Sequence, residues 1–101
     1  MERLVLNRKE LLKGSTETVL LSVLSGQPMY GYQLVKEISE KSSGYLKFKE
    51  GTLYPALHRL EKDNCLNGYW DMSKNGQKRR YYKITSLGES RLSSMLFSEI
   101  S

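Results

Sequence analysis

Gly51-Thr52-Leu53-Tyr54-Pro55-Ala56-Leu57-His58-Arg59-Leu60-Glu61 is the stretch that decides the fold. Leu53, Ala56, Leu57 and Leu60 fall at i, i+3, i+4 and i+7, so one face of a helix is apolar along its length and has to be buried. Thr52, Pro55, His58, Arg59 and Lys62 then project away from that face, with Tyr54 on its flank. Proline lacks the amide that an interior helical bond needs. This predicts Pro55 in the first turn and a helix start between about Lys49 and Thr52. Asn64 tolerates the left-handed conformation that closes a helix, which predicts the stop there and a helix of about 12 residues.

Upstream, Ser15 or Thr16 can cap a helix that carries Val19, Leu20, Val23 and Leu24 on one face, with Gly26 and Pro28 to stop it. Residues Arg8 to Lys13 are a candidate extension. A second amphipathic helix is predicted from Tyr30 to Ser42, with Leu34, Val35 and Ile38 inward, Lys36, Glu37, Glu40 and Lys41 outward, and Gly44 ending it. Downstream, Leu66 to Ser73 and Lys78 to Thr85 read as strands joined by Lys74-Asn75-Gly76-Gln77, since Asn-Gly is the strongest short hairpin signal. Alternation puts Leu66, Gly68, Trp70 and Met72 on one face of the first strand. In the second, Tyr82 and Ile84 share a face, with Tyr81 and Lys83 opposite. Ser86 followed by Glu89 matches a capping box, and Leu92, Met95, Leu96 and Ile100 form an apolar stripe on a last helix.

A chain of 101 residues, 39% apolar, supports one core and no second domain. The apolar run Val19 to Leu24 is far short of the roughly 20 residues that cross a bilayer. The Leu4-Val5-Leu6 run lacks the length and cleavage site of a secretory signal, so the expected location is cytoplasmic. One cysteine, Cys65, and one histidine, His58, furnish neither an internal disulfide nor an ordinary four-ligand zinc site, and no metal or cofactor is expected. Charge is more informative. Between Lys47 and Lys83 stand nine basic residues (Lys47, Lys49, Arg59, Lys62, Lys74, Lys78, Arg79, Arg80, Lys83) against four acidic ones (Glu50, Glu61, Asp63, Asp71). That segment holds the whole net charge of +5, and a regional excess of this kind suits a polyanion partner.

Helix, helix, short helix and basic hairpin form the order of a winged helix-turn-helix domain, whose third helix enters the major groove while the wing follows the backbone. The expected fold is therefore mainly α with a small β-hairpin: residues 1–85 as the DNA-binding domain and 86–101 as a short dimerisation helix. Double-stranded DNA is the expected partner. Arg59 suits a guanine edge, Lys49 and Lys62 suit phosphates, and Thr52 and Tyr54 can give hydroxyl hydrogen bonds to phosphates near the helix start. His58 is either DNA-facing or an ordinary surface side chain. At the wing, Lys74, Asn75, Gln77, Lys78, Arg79 and Arg80 suit phosphate or minor-groove contact. No glycine-rich phosphate loop or paired acids in a cleft are present, so no enzyme is expected. The rival reading is a winged-helix module that binds protein, which calls for an apolar or acidic surface in place of the basic one. Trp70, Tyr81 and Tyr82 could line an effector pocket or simply support core and wing, and Cys65 suits a small apolar slot between helix and strand.

Four blocks also carry a family resemblance: Lys13-Gly14-Ser15-Thr16-Glu17, Tyr30-Gly31-Tyr32-Gln33-Leu34, Gly51 to Glu61 as quoted above, and Arg79-Arg80-Tyr81-Tyr82-Lys83-Ile84-Thr85. Together they resemble the PadR family of bacterial transcriptional regulators over about residues 10 to 92. The resemblance implies a dimeric repressor that binds a palindromic promoter site and often releases it on meeting a small aromatic or drug-like molecule. By position, it implies DNA contact at Thr52, Tyr54 and their neighbours, at Tyr32, and at Lys78 to Arg80. Asn64 and Gln77 replace glycines usual in the family. The family's C-terminal helix is long, and about 16 residues, near 24 Å, follow Thr85 in this sequence. Leu92, Met95, Leu96 and Ile100 would pair with a partner subunit and its Leu4 to Leu12 region, Leu11 included, or else complete the monomer's own core. A two-fold dimer would set its recognition helices about 34 Å apart, one turn of DNA.

Overall fold

The computed structural model describes residues 15–100, and its centre is a helix with no wet face. Helix α1 (Thr16–Leu24) buries every residue from Thr18 to Leu24, more than the single face its spacing predicts, and packs against three helices and a strand. Its start matches expectation: the Ser15 hydroxyl accepts from the Thr18 amide at 3.1 Å. Around it lie β1 (Met29–Tyr30), α2 (Gly31–Lys41), α3 (Glu50–Lys62), β2 (Leu66–Met72), β3 (Lys78–Ile84) and α4 (Ser86–Ile100). Leu34 and Ile38 of α2, Leu53, Ala56, Leu57 and Leu60 of α3, Leu66, Tyr82 and Leu92 close one continuous core.

Helices α2 and α3 end alike. Ser43 and Asn64 take the left-handed conformation, at φ 54° and 62°. Just beyond them the Gly44 and Cys65 amides reach back to the Ser39 and Leu60 carbonyls at 2.7 and 2.8 Å, which satisfies groups the helix leaves unpaired. Asn64 thus does what its sequence predicts.

Three features differ from expectation. The third helix does start at Glu50, but this puts Pro55 at its sixth residue, in the second turn. The amide that Pro55 lacks would have met the Gly51 carbonyl, and Gly51 is exposed, so the lost bond falls on the wet side of the helix. The last helix is capped by Thr85, whose hydroxyl accepts from the Gly88 amide at 3.0 Å. Glu89 does not close a box with Ser86; it accepts instead from the Ser25 hydroxyl at 2.9 Å. Third, the sheet has three strands, in the order β1-β3-β2. Met29 and Tyr30 pair with Tyr82 and Tyr81, which ties the start of α2 to the root of the hairpin.

β2 and β3 pair antiparallel from Leu66↔Ile84 to Met72↔Lys78. The turn is a three-residue loop: the Ser73 carbonyl accepts from the Gly76 amide at 2.9 Å, Ser73 and Gln77 pair at 2.8 Å, and Gly76 takes φ 77°. Leu66 and Tyr82 reach the core, but the strands run past it, so Trp70 and Met72, on the same face as Leu66, are exposed.

Candidate nucleic-acid interface

The geometry of α3 sorts its exposed residues. At 100° per residue, Gly51, Pro55, His58 and Lys62 lie most directly opposite the buried line, with Thr52 and Arg59 on one flank and Glu50, Tyr54 and Glu61 on the other. All but the half-buried Glu61 are exposed. Lys49 is the N-cap residue of this helix and is exposed at its mouth. The flank of Arg59 faces α1, and its Nε lies 3.8 Å from Glu17. Glu17 also stands 3.8 Å from Arg91 of α4, which bonds Asp63 at 3.2 Å. The Asp63 hydrogen bond holds the Arg91 guanidinium above its ordinary range.

The other flank of α3 meets the wing. Tyr54 lies across the start of α2, so closely that a Cβ on Gly31 would come 2.3 Å from its hydroxyl. Glu61 bonds Arg80 at 2.9 Å. Arg80 in turn lies over the Trp70 ring at 5.6 Å, and Lys78 over the same ring at 5.8 Å. A Cβ on Gly68 would come 2.6 Å from the Arg80 guanidinium and 2.7 Å from the Glu61 carboxylate, so the bare backbone of Gly68 is what lets the pair lie across β2. Beside it the Tyr82 phenol is pushed above its ordinary range, first by burial and then by Glu61.

On the opposite face of the sheet Tyr69 and Tyr81 stack with centroids 5.8 Å apart, and Tyr30 meets Tyr81 edge-on at 5.3 Å. Burial, and after it the charge of Asp71, raises the Tyr69 phenol. Arg79 folds over Tyr30, 5.3 Å from the ring centroid, and donates to the Gln77 side chain. Its Nε is enclosed and finds no partner among the described residues.

Wing, α2 and α3 thus surround a concavity of about 520 Å³, open on one side and lined by Tyr30, Tyr32, Tyr54, Trp70, Lys78 and Arg79, with Glu50 and Arg80 also on its wall. The N-termini of α2 and α3 both open onto it through Gly31 and Glu50. Two positive helix ends and three cations favour an anion there.

Of the residues expected to contact DNA, Tyr32, Tyr54, Lys78, Arg79 and Arg80 converge on the concavity. His58 and Lys62 stand on the outer face of α3, Arg59 with Thr52 on its far flank, and Lys74 and Gln77 are exposed at the wing tip. Arg79 and Arg80 are half-buried and engaged, so the wing's fully exposed cations are Lys74 and Lys78 at its outer end and Lys83 at its root. Sequence reasoning passed over Glu61, Gly68 and Tyr30. A glycine inside a strand pattern was the available signal for the first two, since it marks close approach.

The dimer expectation needs one correction. Leu92 is fully enclosed in the chain's own core, so it has no surface to give a partner. Met95 and Leu96 are half-buried against the same core, with the Thr18 hydroxyl donating to Met95 Sδ at 3.1 Å. Leu11 and the other N-terminal residues lie outside the described residues, and nothing is described of the Ile100 side chain. Phe97, not singled out by the sequence pattern, is 74% exposed. Cys65 fills the closed slot expected between α3 and β2. No helix among the described residues is long and apolar enough to cross a membrane.

Residues 20–94 match the Transcriptional regulator PadR-like family. The chain is 32% identical over 84 residues to the Transcriptional regulator Rv3488 of Mycobacterium tuberculosis, covering 83% of this chain and 75% of that protein. A solved transcriptional regulator from Clostridium thermocellum superposes with a TM-score of 0.74 at 33% identity, over 81% of this chain and 79% of that one. A PadR-like transcriptional regulator from Bacillus cereus gives a TM-score of 0.74 at 32% identity, over 88% and 84%.

Proposed function

The chain belongs to the PadR-like family of transcriptional regulators, DNA-binding proteins and not enzymes, and from that premise we propose that it is a cytoplasmic repressor that binds a palindromic promoter site as a dimer. The observation that carries this reading is the concave basic face, where the N-termini of α2 and α3 and the wing cations Lys78, Arg79 and Arg80 meet around one opening. In the proposal, DNA backbone phosphates occupy that opening, contacted by Tyr32, Tyr54 and Lys78, while Lys49, Lys62 and Lys74 neutralise phosphates at its margins. His58 and Arg59 meet base edges in the major groove, with Arg59 on guanine, and Thr52 gives a hydroxyl hydrogen bond to a phosphate near the helix start. Gly51 and Pro55 carry no long side chain, so they let the helix backbone come close to the groove floor.

Dimerisation through α4 is the second part of the proposal. Leu87 and Phe97 are exposed apolar side chains on this helix, and with Met95, Leu96 and Ile100 they would bury against the partner subunit. Two recognition helices would then read half-sites about one turn apart, near 34 Å. Release by a small aromatic effector completes the reading, with Trp70 and Tyr54 of the concavity as available stacking surfaces.

The deciding experiment is fluorescence anisotropy with the DNA just upstream of the protein's own coding region, at two salt concentrations, against an unrelated duplex as competitor. Binding that resists the competitor and weakens with salt supports the reading. Equal, weak binding of both duplexes overturns it. Sedimentation of Phe97→Asp tests the dimer: the expected result is a monomer with weakened operator binding, and a monomer that binds normally would remove the dimer from the proposal.

A further inference from the structure

We propose that Glu61, Arg80 and Gly68 form a brace that fixes the wing to the recognition helix, so that Arg80 positions the wing's DNA contacts instead of making one. The inference rests on the DNA-binding reading above and adds a division of labour within the wing.

Three observations carry it. Arg80 bonds Glu61 at 2.9 Å, and both side chains are only about a third exposed, at 35% and 31%. Arg80 also lies over Trp70, which ties the guanidinium to its cross-strand neighbour as well as to α3. Finally, the backbone of β2 is shaped to admit the pair: any side chain at Gly68 would collide with both members at once. Past the Leu66–Tyr82 region the strands leave the core, and Trp70 and Met72 are exposed, so burial does not hold the outer hairpin in place. A polar strut at the Trp70–Arg80 pair, two pairs beyond Gly68–Tyr82, can. It sets the angle of the wing relative to α3, and therefore where Lys78 and Lys74 meet the phosphates.

Glu61 is an acid beside a surface that meets a polyanion. If it were idle, Glu61→Gln would tighten binding, and if it merely masked Arg80, freeing that cation would also steepen the salt dependence by about one phosphate. A brace predicts the reverse. Glu61→Gln and Gly68→Ala, the second of which changes no charge, should each weaken binding of a mixed-sequence duplex by about fivefold. In either background Lys78→Ala should cost less than it does in the wild type, because the lysine is already displaced.

Trp70, the single tryptophan, reports on the brace without DNA. Its emission should shift to longer wavelength, and acrylamide should quench it more, in both Glu61→Gln and Gly68→Ala. A far-UV circular dichroism melt distinguishes a loosened wing from an unfolded chain, and should Gly68→Ala fail to fold, the isosteric Glu61→Gln carries the test. Unchanged or tighter binding by Glu61→Gln, or an unmoved Trp70 signal, overturns the brace. If the wild type shows no salt-dependent DNA binding, the functional reading fails, and the brace then stands or falls on the Trp70 signal alone.

Discussion

Helix α3 and the wing both offer cations to one face, yet they hold those cations by opposite means. The helix is fixed by burial: Leu53, Ala56, Leu57 and Leu60 are wholly enclosed, so Thr52, His58, Arg59 and Lys62 are free to stand on its exposed side. The wing has lost contact with the core by Trp70 and is fixed by polar and aromatic contacts of its own residues: Arg80 with Glu61, Arg79 with Tyr30, Tyr69 with Tyr81. An apolar anchor leaves every charge available. A polar anchor consumes some of the charge it carries, and counting cations in the sequence therefore overstates what the wing presents.

The contrast can be tested at several strengths. Leu57→Ala should have the largest effect, about 2–5 kcal/mol of stability from a closed core position, read by denaturant unfolding. No substitution of a wing lysine should approach it. Next comes Arg59→Ala, for which the expected loss is about 1–3 kcal/mol of discrimination between operator and mutated operator in competition binding. Stability should barely move, since its contact with Glu17 is long and exposed. Lys78→Ala should weaken binding to all duplexes alike and lower the salt slope by about 1, without changing sequence preference. If Arg59→Ala and Lys78→Ala behaved identically, the assignment of reading to the helix and anchoring to the wing would be lost. The smallest effect is one of pH. The folded state raises the Tyr82 phenol, so its contribution is fully present below the unfolded value of about 10 and is lost as pH climbs through the higher folded value. Tyr82→Phe should remove that part of the alkaline stability loss, which a thermal-melting series from neutral pH upward would detect.

The same contrast explains what could be read in advance. α3 was legible because its anchor is local: the apolar spacing that buries it lies within eight residues of sequence. The stop at Asn64 and the cap at Ser15 were legible for the same reason. What escaped depends on distant partners. The two-residue strand Met29–Tyr30 has no pattern of its own and exists because it pairs with Tyr82 and Tyr81. Arg80 looks like any wing cation until Glu61, 19 residues away, comes beside it. Ser86 and Thr85 compete to cap one helix, and the contest is settled by where the preceding strand leaves the chain. Glu89 is taken by Ser25, 64 residues upstream. The apolar stripe of α4 was visible, but not which of its residues the monomer encloses; Leu92 turned inward while Phe97 stayed out.

Helix α1 sets the cooperativity of the whole domain. Because it is covered on every side, withdrawing α2, α3, α4 or β3 alone would leave part of an apolar rod in water. No intermediate that sheds one neighbour is cheap, so the helices and the root of the sheet should melt in one transition while the outer hairpin, where Trp70 and Met72 are exposed, can loosen without tripping it. The hairpin beyond the Trp70–Arg80 pair is therefore the part of the molecule whose loosening costs the fold least.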